Sequence, residues 1–243
     1  DISGSMDLTD MMLHGRPASR LAVVKRAAMQ FVRDRIGDQV GLILFASRAY
    51  LQTPLTYDRQ NVLMRIADAT VGLAGKTTSL GDALGLAVKR FQDAPKKGRV
   101  VILLTDGVHN SGVLPPVKAA QLAKSEDIKV YTIGLGADTD PRALGGIFLN
   151  AAGDLDEATL KEIAKITGGR YFHATDLKSL QTIYDTINSM EKVTQKQSLV
   201  RPYHEYYPWP LGLALILLMA WLAQVGHWEA LLTRRPLKEA EPK

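Results

Sequence analysis

The chain opens Asp1-Ile2-Ser3-Gly4-Ser5, a carboxylate and two hydroxyls on one short stretch. Oxygen groups at this spacing suit a hard cation. Ser3 and Ser5 stand two apart, so a turn can aim both hydroxyls at one point, and Gly4 between them permits the bend. Two later stretches carry the same chemistry. GKTTSLGDAL (75–84) opens a predicted helix, and in LLTDG (103–107) Asp106 directly follows an apolar run. Asp1 and Asp106 would balance the charge of a divalent ion. Mg²⁺ favours octahedral oxygen coordination and retains water, so hydroxyls with one or two carboxylates suit it; Mn²⁺ and Ca²⁺ are compatible with the same oxygen set. Taken singly, DxSxS is as often a helix cap or Asx-turn, and TDG a plain turn. The signal is all three in order, each at a strand end.

Other chemistries find no support. The chain has no Cys, which removes disulfides, zinc–thiolate sites and thiol catalysis together. No paired His spacing offers zinc or iron. There is no GxSxG elbow, Walker loop or HExxH, and no His–Asp relay stands near Ser3 or Ser5 in sequence. His14 and His109 fall in loops near the expected metal edge and are read as surface histidines.

The elements that must position these loops alternate along the chain. Residues 20–36 set Leu21, Val24, Ala28, Phe31 and Val32 near one helical face, with Ser19 as N-cap. VGLILFA (40–46) reads as a strand buried on both faces, and YLQTPL (50–55), with Pro54, as an edge strand. Helices are expected from about Asp58, from Leu80 to Phe91, and near 116–125. RVVILLTDG (99–107) and KVYTIGLG (129–136) read as buried strands, and residues 137–153 as a Gly-rich loop. A capped helix is expected over 154–169, then a short strand RYFHA, then a helix from Asp176 to about Val193. Continuous apolar strands alternating with helices predict a doubly wound α/β fold: a mostly parallel central sheet with helices on both faces. In such a sheet ligands bind outside the carboxyl ends of the strands, where the three oxygen-rich turns fall. Asp1 should directly follow a strand, so the chain is expected to be a fragment whose first strand lies upstream.

The C-terminal part differs. Residues 194–208 read as a polar, aromatic-dotted linker. Pro208 to Gly226 carries no charged residue, and the apolar character continues to Leu232. That length suits a transmembrane helix over 209–232, flanked by Trp209 and Trp228, with a polar basic tail over 233–243. The expected domain is then 1–193. The net charge of +5 is dispersed among acids, which fits a solvated surface with basic flanks around a membrane anchor and points away from nucleic acid. Lys192, Lys196 and Arg201 precede the apolar segment, and Arg234, Arg235, Lys238 and Lys243 follow it. This gives a slight preference for a cytoplasmic tail.

DISGSM, then a Thr-bearing loop, then a strand ending in TDG resembles the von Willebrand factor type A (VWA) domain with its metal-ion-dependent adhesion site. RLAVVKRAAMQFV, DQVGLILFASRAYLQTPLTYD, TSLGDALGLAVKRF, VVILLTDGVHNSG and the stretch from DLDEATL to NSMEK are similar to the BatA/BatB aerotolerance-type branch of bacterial membrane proteins. The resemblance implies a Rossmann-like fold and a metal shell of Asp1, Ser3, Ser5, Thr78 and Asp106. Thr78 is chosen over Thr77 and Ser79 because TSLGDA matches the family's Thr-x-x-Gly-Asp/Asn pattern, and Asp82 is expected to cap or support the loop. Gly4, Met6, Thr77, Gly107 and His109 would surround the open coordination position, where a partner protein's carboxylate completes the shell. The stretch 7–19 departs from the family in length and Met content; it is either a loop that shapes partner choice or a mobile insertion.

By the same resemblance the protein is not an enzyme. It would act in the bacterial inner (cytoplasmic) membrane, with its VWA domain in the periplasm. Its partners would be sibling VWA proteins and a MoxR-type AAA+ ATPase, in envelope protein assembly or stress tolerance. The alternatives are a metal-chelatase-like enzyme subunit, or a Mg²⁺-dependent hydrolase or phosphotransferase of the phosphoaspartate type. Ser3 stands where the latter needs a second Asp, and a chelatase subunit needs no membrane helix. A Ca²⁺-dependent adhesin is a third class.

Overall fold

Ser19 accepts a hydrogen bond from the Ala22 N–H at 3.2 Å and so opens α1 (Arg20–Asp34). The computed structural model describes residues 1–13, 15–92, 94–96, 98–136, 155–191 and 208–232, the last with side chains over 209–224. Contacts divide the chain into two compact units, Asp1–Val193 and Thr194–Lys243.

In the first unit a short 3-10 turn, Gly4–Asp7, follows the opening residues. The stretch 7–19, read from sequence as a loop or insertion, contains a small antiparallel hairpin, β1 (Met11–Leu13) and β2 (Arg16–Ala18). Met11 is fully buried, which ties the hairpin to the core. After α1 come β3 (Val40–Phe45) and β4 (Ala49–Thr56), paired antiparallel, then α2 (Arg59–Asp68) with Asp58 as N-cap. Next are α3 (Leu80–Phe91), β5 (Val100–Thr105), α4 (Pro116–Ser125) and β6 (Lys129–Leu135). α5 (Glu157–Thr167), β7 (Tyr171–Ala174) and α6 (Leu177–Met190) complete the unit. β5, β6 and β7 form a parallel three-stranded sheet in the order β5-β6-β7.

Helices cover both faces. On one face α1 and α6 bury Leu21, Val23, Ala27, Leu180 and Ile187 against Leu44, Tyr131 and Ile133. On the other, α3, α4 and α5 bury Leu84, Ala119, Ala120 and Ile163 against Phe45, Leu103 and Val130. Alternation along β6 sends Val130 to one cluster and Tyr131 to the other, the period-2 geometry of a strand covered on both sides. The buried stripe of α1 is wider than its sequence pattern suggests, because α1 packs on both α2 and α6. Val23 and Ala27 join Leu21 and Val32 as buried residues.

One sequence expectation needs correction. β3 is only partly covered: Phe45 and Leu44 are buried, Gly41 is exposed, and Val40, Leu42 and Ile43 are half-buried. Its ladder partner among the described residues is β4 alone, an antiparallel pair, while β5, β6 and β7 supply the parallel strands. Asp1 and Ile2 lie between the two sheets: the Ile2 N–H donates to Phe45 O at 2.8 Å, and the Asp1 backbone nitrogen donates to Leu104 O at 3.2 Å.

The second unit is described through α7 (Pro208–Leu232), whose sequence contains one Asp, Glu, Lys or Arg, Glu229. Its side chains are exposed on every side, Trp209, Leu215, Ile216, Leu218 and Trp221 included. Side chains are described from Trp209 to Gln224 only, short of the roughly 20 apolar residues that cross a hydrocarbon core. Among the described residues, then, no helix is long and apolar enough to cross a membrane. The expected loop 137–153, His14, the linker up to residue 207 and the tail 233–243 lie outside the described residues.

α6 offers a direct test of local energetics. Asp176 accepts from the Ser179 N–H at 2.7 Å while Ser179 Oγ accepts from the Asp176 N–H at 3.1 Å, a reciprocal capping box. The hydrogen bonds from Ser179, backbone first, hold the Asp176 carboxyl below its usual range. A depressed carboxyl stabilises the fold above its unfolded pKa and loses that contribution as pH falls through the folded pKa. Asp176→Ala should therefore cost about 1 kcal/mol at pH 7 in urea unfolding, and the gap between variant and parent should shrink on acidification toward pH 3.

Candidate metal site

Four of the five residues of the expected shell sit in or beside the turns at element ends. Asp106 follows β5, Thr78 precedes the first turn of α3, and Ser3 and Ser5 enter the 3-10 turn. The side chains converge. Ser3 Oγ and Ser5 Oγ share a hydrogen bond of 3.1 Å, and Ser5 Oγ donates to Asp106 Oδ1 at 2.6 Å. Thr78 Oγ1 borders the same glycine as Ser5: a Cβ built on Gly107 would lie 3.3 Å from Thr78 Oγ1 and 3.8 Å from Ser5 Oγ. Gly107 thus leaves room where these two hydroxyls approach. Ser3, Thr78 and Asp106 are buried and Ser5 is half-buried, so the cluster is shielded.

Asp1 takes a bracing position. Its Oδ1 accepts from the Ser3 N–H at 2.7 Å, and its Oδ2 accepts from the Thr105 hydroxyl. The turn is therefore tied to the last residue of β5. Behind Thr78 the loops interlock. The Thr78 N–H donates to Asn110 Oδ1 at 2.7 Å, and the Asn110 and Ser111 N–H groups donate to Thr78 O. Asp82 supports this loop, as expected, by accepting from the Val113 and Leu114 N–H groups. The Gly4 N–H donates to Lys76 O at 3.1 Å, which joins the first loop to the second.

The five residues expected around an open coordination position divide. Gly4 and Thr77 are exposed, and Thr77 Oγ1 is hydrogen-bonded to Ser47 Oγ at 2.6 Å. His109 is half-buried with its Nδ1 lacking a hydrogen-bond partner, as do the buried hydroxyls of Ser79 and Ser111. Gly107 is buried beside the hydroxyls. Met6 is a correction: it is fully buried in the core under α1, because the 3-10 turn rotates it inward, and its side chain does not reach a partner surface.

Sequence reasoning passed over Arg20. Its guanidinium, buried at the first residue of α1, donates from Nη1 to Asp106 Oδ2 at 2.9 Å and from Nε to Asp10 Oδ1 at 2.9 Å. Burial alone would lower its pKa, but the hydrogen bonds to Asp10 and Asp106 outweigh desolvation and raise it. Thr105 and Asn110 were also missed. The Arg directly after an N-cap Ser was a readable signal, since a cation is misplaced at a helix N-terminus unless a partner holds it there.

The chemistry of the donor set fits a hard divalent ion: Ser3, Ser5 and Thr78 hydroxyls, with Asp106 and Asp1 as the carboxylates. Among the described residues no group of three or more His, Cys, Asp or Glu could hold a metal, so a cation here would depend on the hydroxyls.

A two-faced α/β unit with an oxygen-lined cluster at the carboxyl ends of its strands defines a Rossmann-like binding module. The family model for the von Willebrand factor type A domain matches residues 1–186, and the chain belongs to that family. It is similar to the conserved hypothetical protein BatB from Bacteroides thetaiotaomicron, at 28% identity over 79% of this chain and 96% of that one, with a TM-score of 0.64. An aerotolerance-related membrane protein from Bacteroides fragilis matches at 28% identity over 78% of this chain and 94% of that one, also with a TM-score of 0.64. Among curated proteins, a UPF0353 protein of Nocardia farcinica is 31% identical over 210 residues, 77% of this chain and 60% of the relative. An uncharacterized protein of Borreliella burgdorferi is 26% identical over 91% of this chain and 65% of the relative. The chain thus spans less than two thirds of the length of these two curated relatives.

The loop bracing can be tested apart from any ligand. Asp82→Ala leaves the Val113 and Leu114 N–H groups without their acceptor and should cost about 1–2 kcal/mol. Amide exchange should accelerate at Leu114 while the β6 amides stay protected; unchanged exchange at Leu114 would contradict the bracing role.

Proposed function

We propose that this chain is a divalent-metal-dependent protein-binding module, with Mg²⁺ as the resident ion, anchored to the bacterial inner membrane by α7. The observation that carries the reading is the convergence of the Ser3, Ser5 and Thr78 hydroxyls beside a buried Asp106. Ser3, Ser5 and Thr78 would hold the ion directly; Asp106 and Asp1 would balance its charge and orient the hydroxyls. When bound, the ion supplies an electrophilic open position that favours an anionic ligand from a partner. A partner Asp or Glu is the protein group with that chemistry. Gly4 and Thr77, both exposed, would flank it.

Binding without catalysis is the favoured reading because the groups next to Ser5 are a carboxylate and a guanidinium already engaged with one another, and among the described residues no imidazole is hydrogen-bonded to Ser3 or Ser5. The similarity to an aerotolerance-related membrane protein supports a role in envelope stress tolerance or envelope protein assembly. Sibling VWA proteins and a MoxR-type AAA+ ATPase are the proposed partners, and the periplasm the proposed side for the domain. The exposed apolar surface of α7 supports the anchor, since leaving so many Leu and Trp side chains in water is costly. The facing edges of β3 and β5, bridged by Asp1 and Ile2, support a strand upstream of Asp1 that would join the two sheets.

Calorimetric titration of the protein in detergent should show saturable Mg²⁺ binding that Asp106→Ala abolishes. Acetate or an acidic peptide should tighten it. A parent that binds no Mg²⁺ with or without acetate would overturn the metal reading. In a second experiment the full chain should float with lipid vesicles, and a chain ending at Val193 should stay in the aqueous fraction. Equal flotation of the two would remove α7 as the anchor.

A further inference from the structure

Asp106 is not free to serve a metal alone. Its carboxylate is fully buried and shared: Oδ1 accepts from Ser5 and Oδ2 from Arg20 Nη1 at 2.9 Å. Arg20 in turn spends its other two nitrogens on Asp10, with Nε donating to both carboxylate oxygens and Nη2 to Oδ2. The side chain of Arg20 is 7% exposed and that of Asp10 32%. A ladder of alternating charge therefore runs from Ser5 through Asp106 and Arg20 to Asp10, the residue directly before β1.

We propose that Arg20 is a positioning residue that acts as a built-in counter-cation to the metal, setting the affinity of the site by competing for the charge of Asp106, and that Asp10 tunes it by drawing on the same guanidinium. The inference rests on the metal reading above. Its physics is a charge count in a shielded place. Arg20 neutralises one of the two carboxylates offered to a divalent ion, and a positive group this close to a bound cation weakens its binding. Asp10 returns part of that negative charge through Arg20. A fork with one arm on each carboxylate needs the planar, multi-donor guanidinium, which also holds Asp106 Oδ1 toward Ser5. The stretch 7–19, unexplained by sequence, acquires a role: it carries the acid that sets how strongly Arg20 grips the site.

Two substitutions should move Mg²⁺ affinity in opposite directions. Arg20→Met removes the competing charge and should tighten Mg²⁺ binding roughly tenfold, although the apo protein melts earlier with Asp106 uncompensated. Asp10→Asn leaves the charge of Arg20 less offset and should weaken binding roughly threefold; Asp10 is partly exposed, so this variant keeps the fold. Arg20→Lys keeps the competing charge but loses the fork, and should not show the tightening seen in Arg20→Met. The measurements are calorimetric Kd for Mg²⁺ on the full chain in detergent and the Mg²⁺-dependent shift in melting temperature, which should be larger in Arg20→Met than in the parent. Weakening in both Arg20→Met and Asp10→Asn would mean that the ladder only props the loops, and would overturn the assignment while leaving the metal reading intact. A parent that binds no Mg²⁺ would overturn both.

Discussion

The buried Asp106 carboxylate is the constraint around which the site is organised. A carboxylate taken out of water needs hydrogen bonds and a countercharge, and Asp106 obtains them from two separate parts of the chain. Ser5 comes from the opening turn, Arg20 from the start of α1, and the position itself from the end of β5. Asp1 and Thr105 repeat the pattern a step away. The loops at this edge are consequently not independent: moving any one leaves a buried polar group of another without its partner.

The scaffold explains why such a cluster can exist. β5 and β6 are covered on both faces, so their ends are fixed by packing on two sides, and the turns that follow inherit that rigidity. Gly81 and Gly169 show how closely the layers meet, since a Cβ at either would lie within 2 Å of a backbone oxygen. A hydroxyl-rich site tolerates little slack, because neutral ligands bind a cation weakly unless they are already aimed. Precision from the sheet thus substitutes for ligand charge.

The two units meet solvent in opposite ways. The first hides its apolar residues on both sides of a sheet, whereas α7 displays them around its whole circumference. Such a helix is stable only against a nonaqueous neighbour. The chain is similar to an aerotolerance-related membrane protein from Bacteroides fragilis.

Much was legible in the residues themselves. Helix starts were readable because Ser19, Asp58, Asp156 and Asp176 are local caps that need only their own next turn. The buried strands β5 and β6 were readable from unbroken apolar runs, and the oxygen-bearing side chains gathered at this edge from their types and spacing. Three features were not readable, each for a nonlocal reason. The hairpin over 11–18 forms because Met11 finds the core beneath α1, and Met6 turns inward for the same reason. β3 looked covered on both faces, yet coverage depends on which strands lie beside it. The partner of Arg20 was not readable: only the fold brings Asp106, 86 positions away, within reach of its guanidinium. Sequence by itself determined which groups could serve a cation, because ligand chemistry is a property of side chains. Tertiary structure decided which of them share charge, because electrostatic partnership depends on distance and burial, and neither is written along the chain.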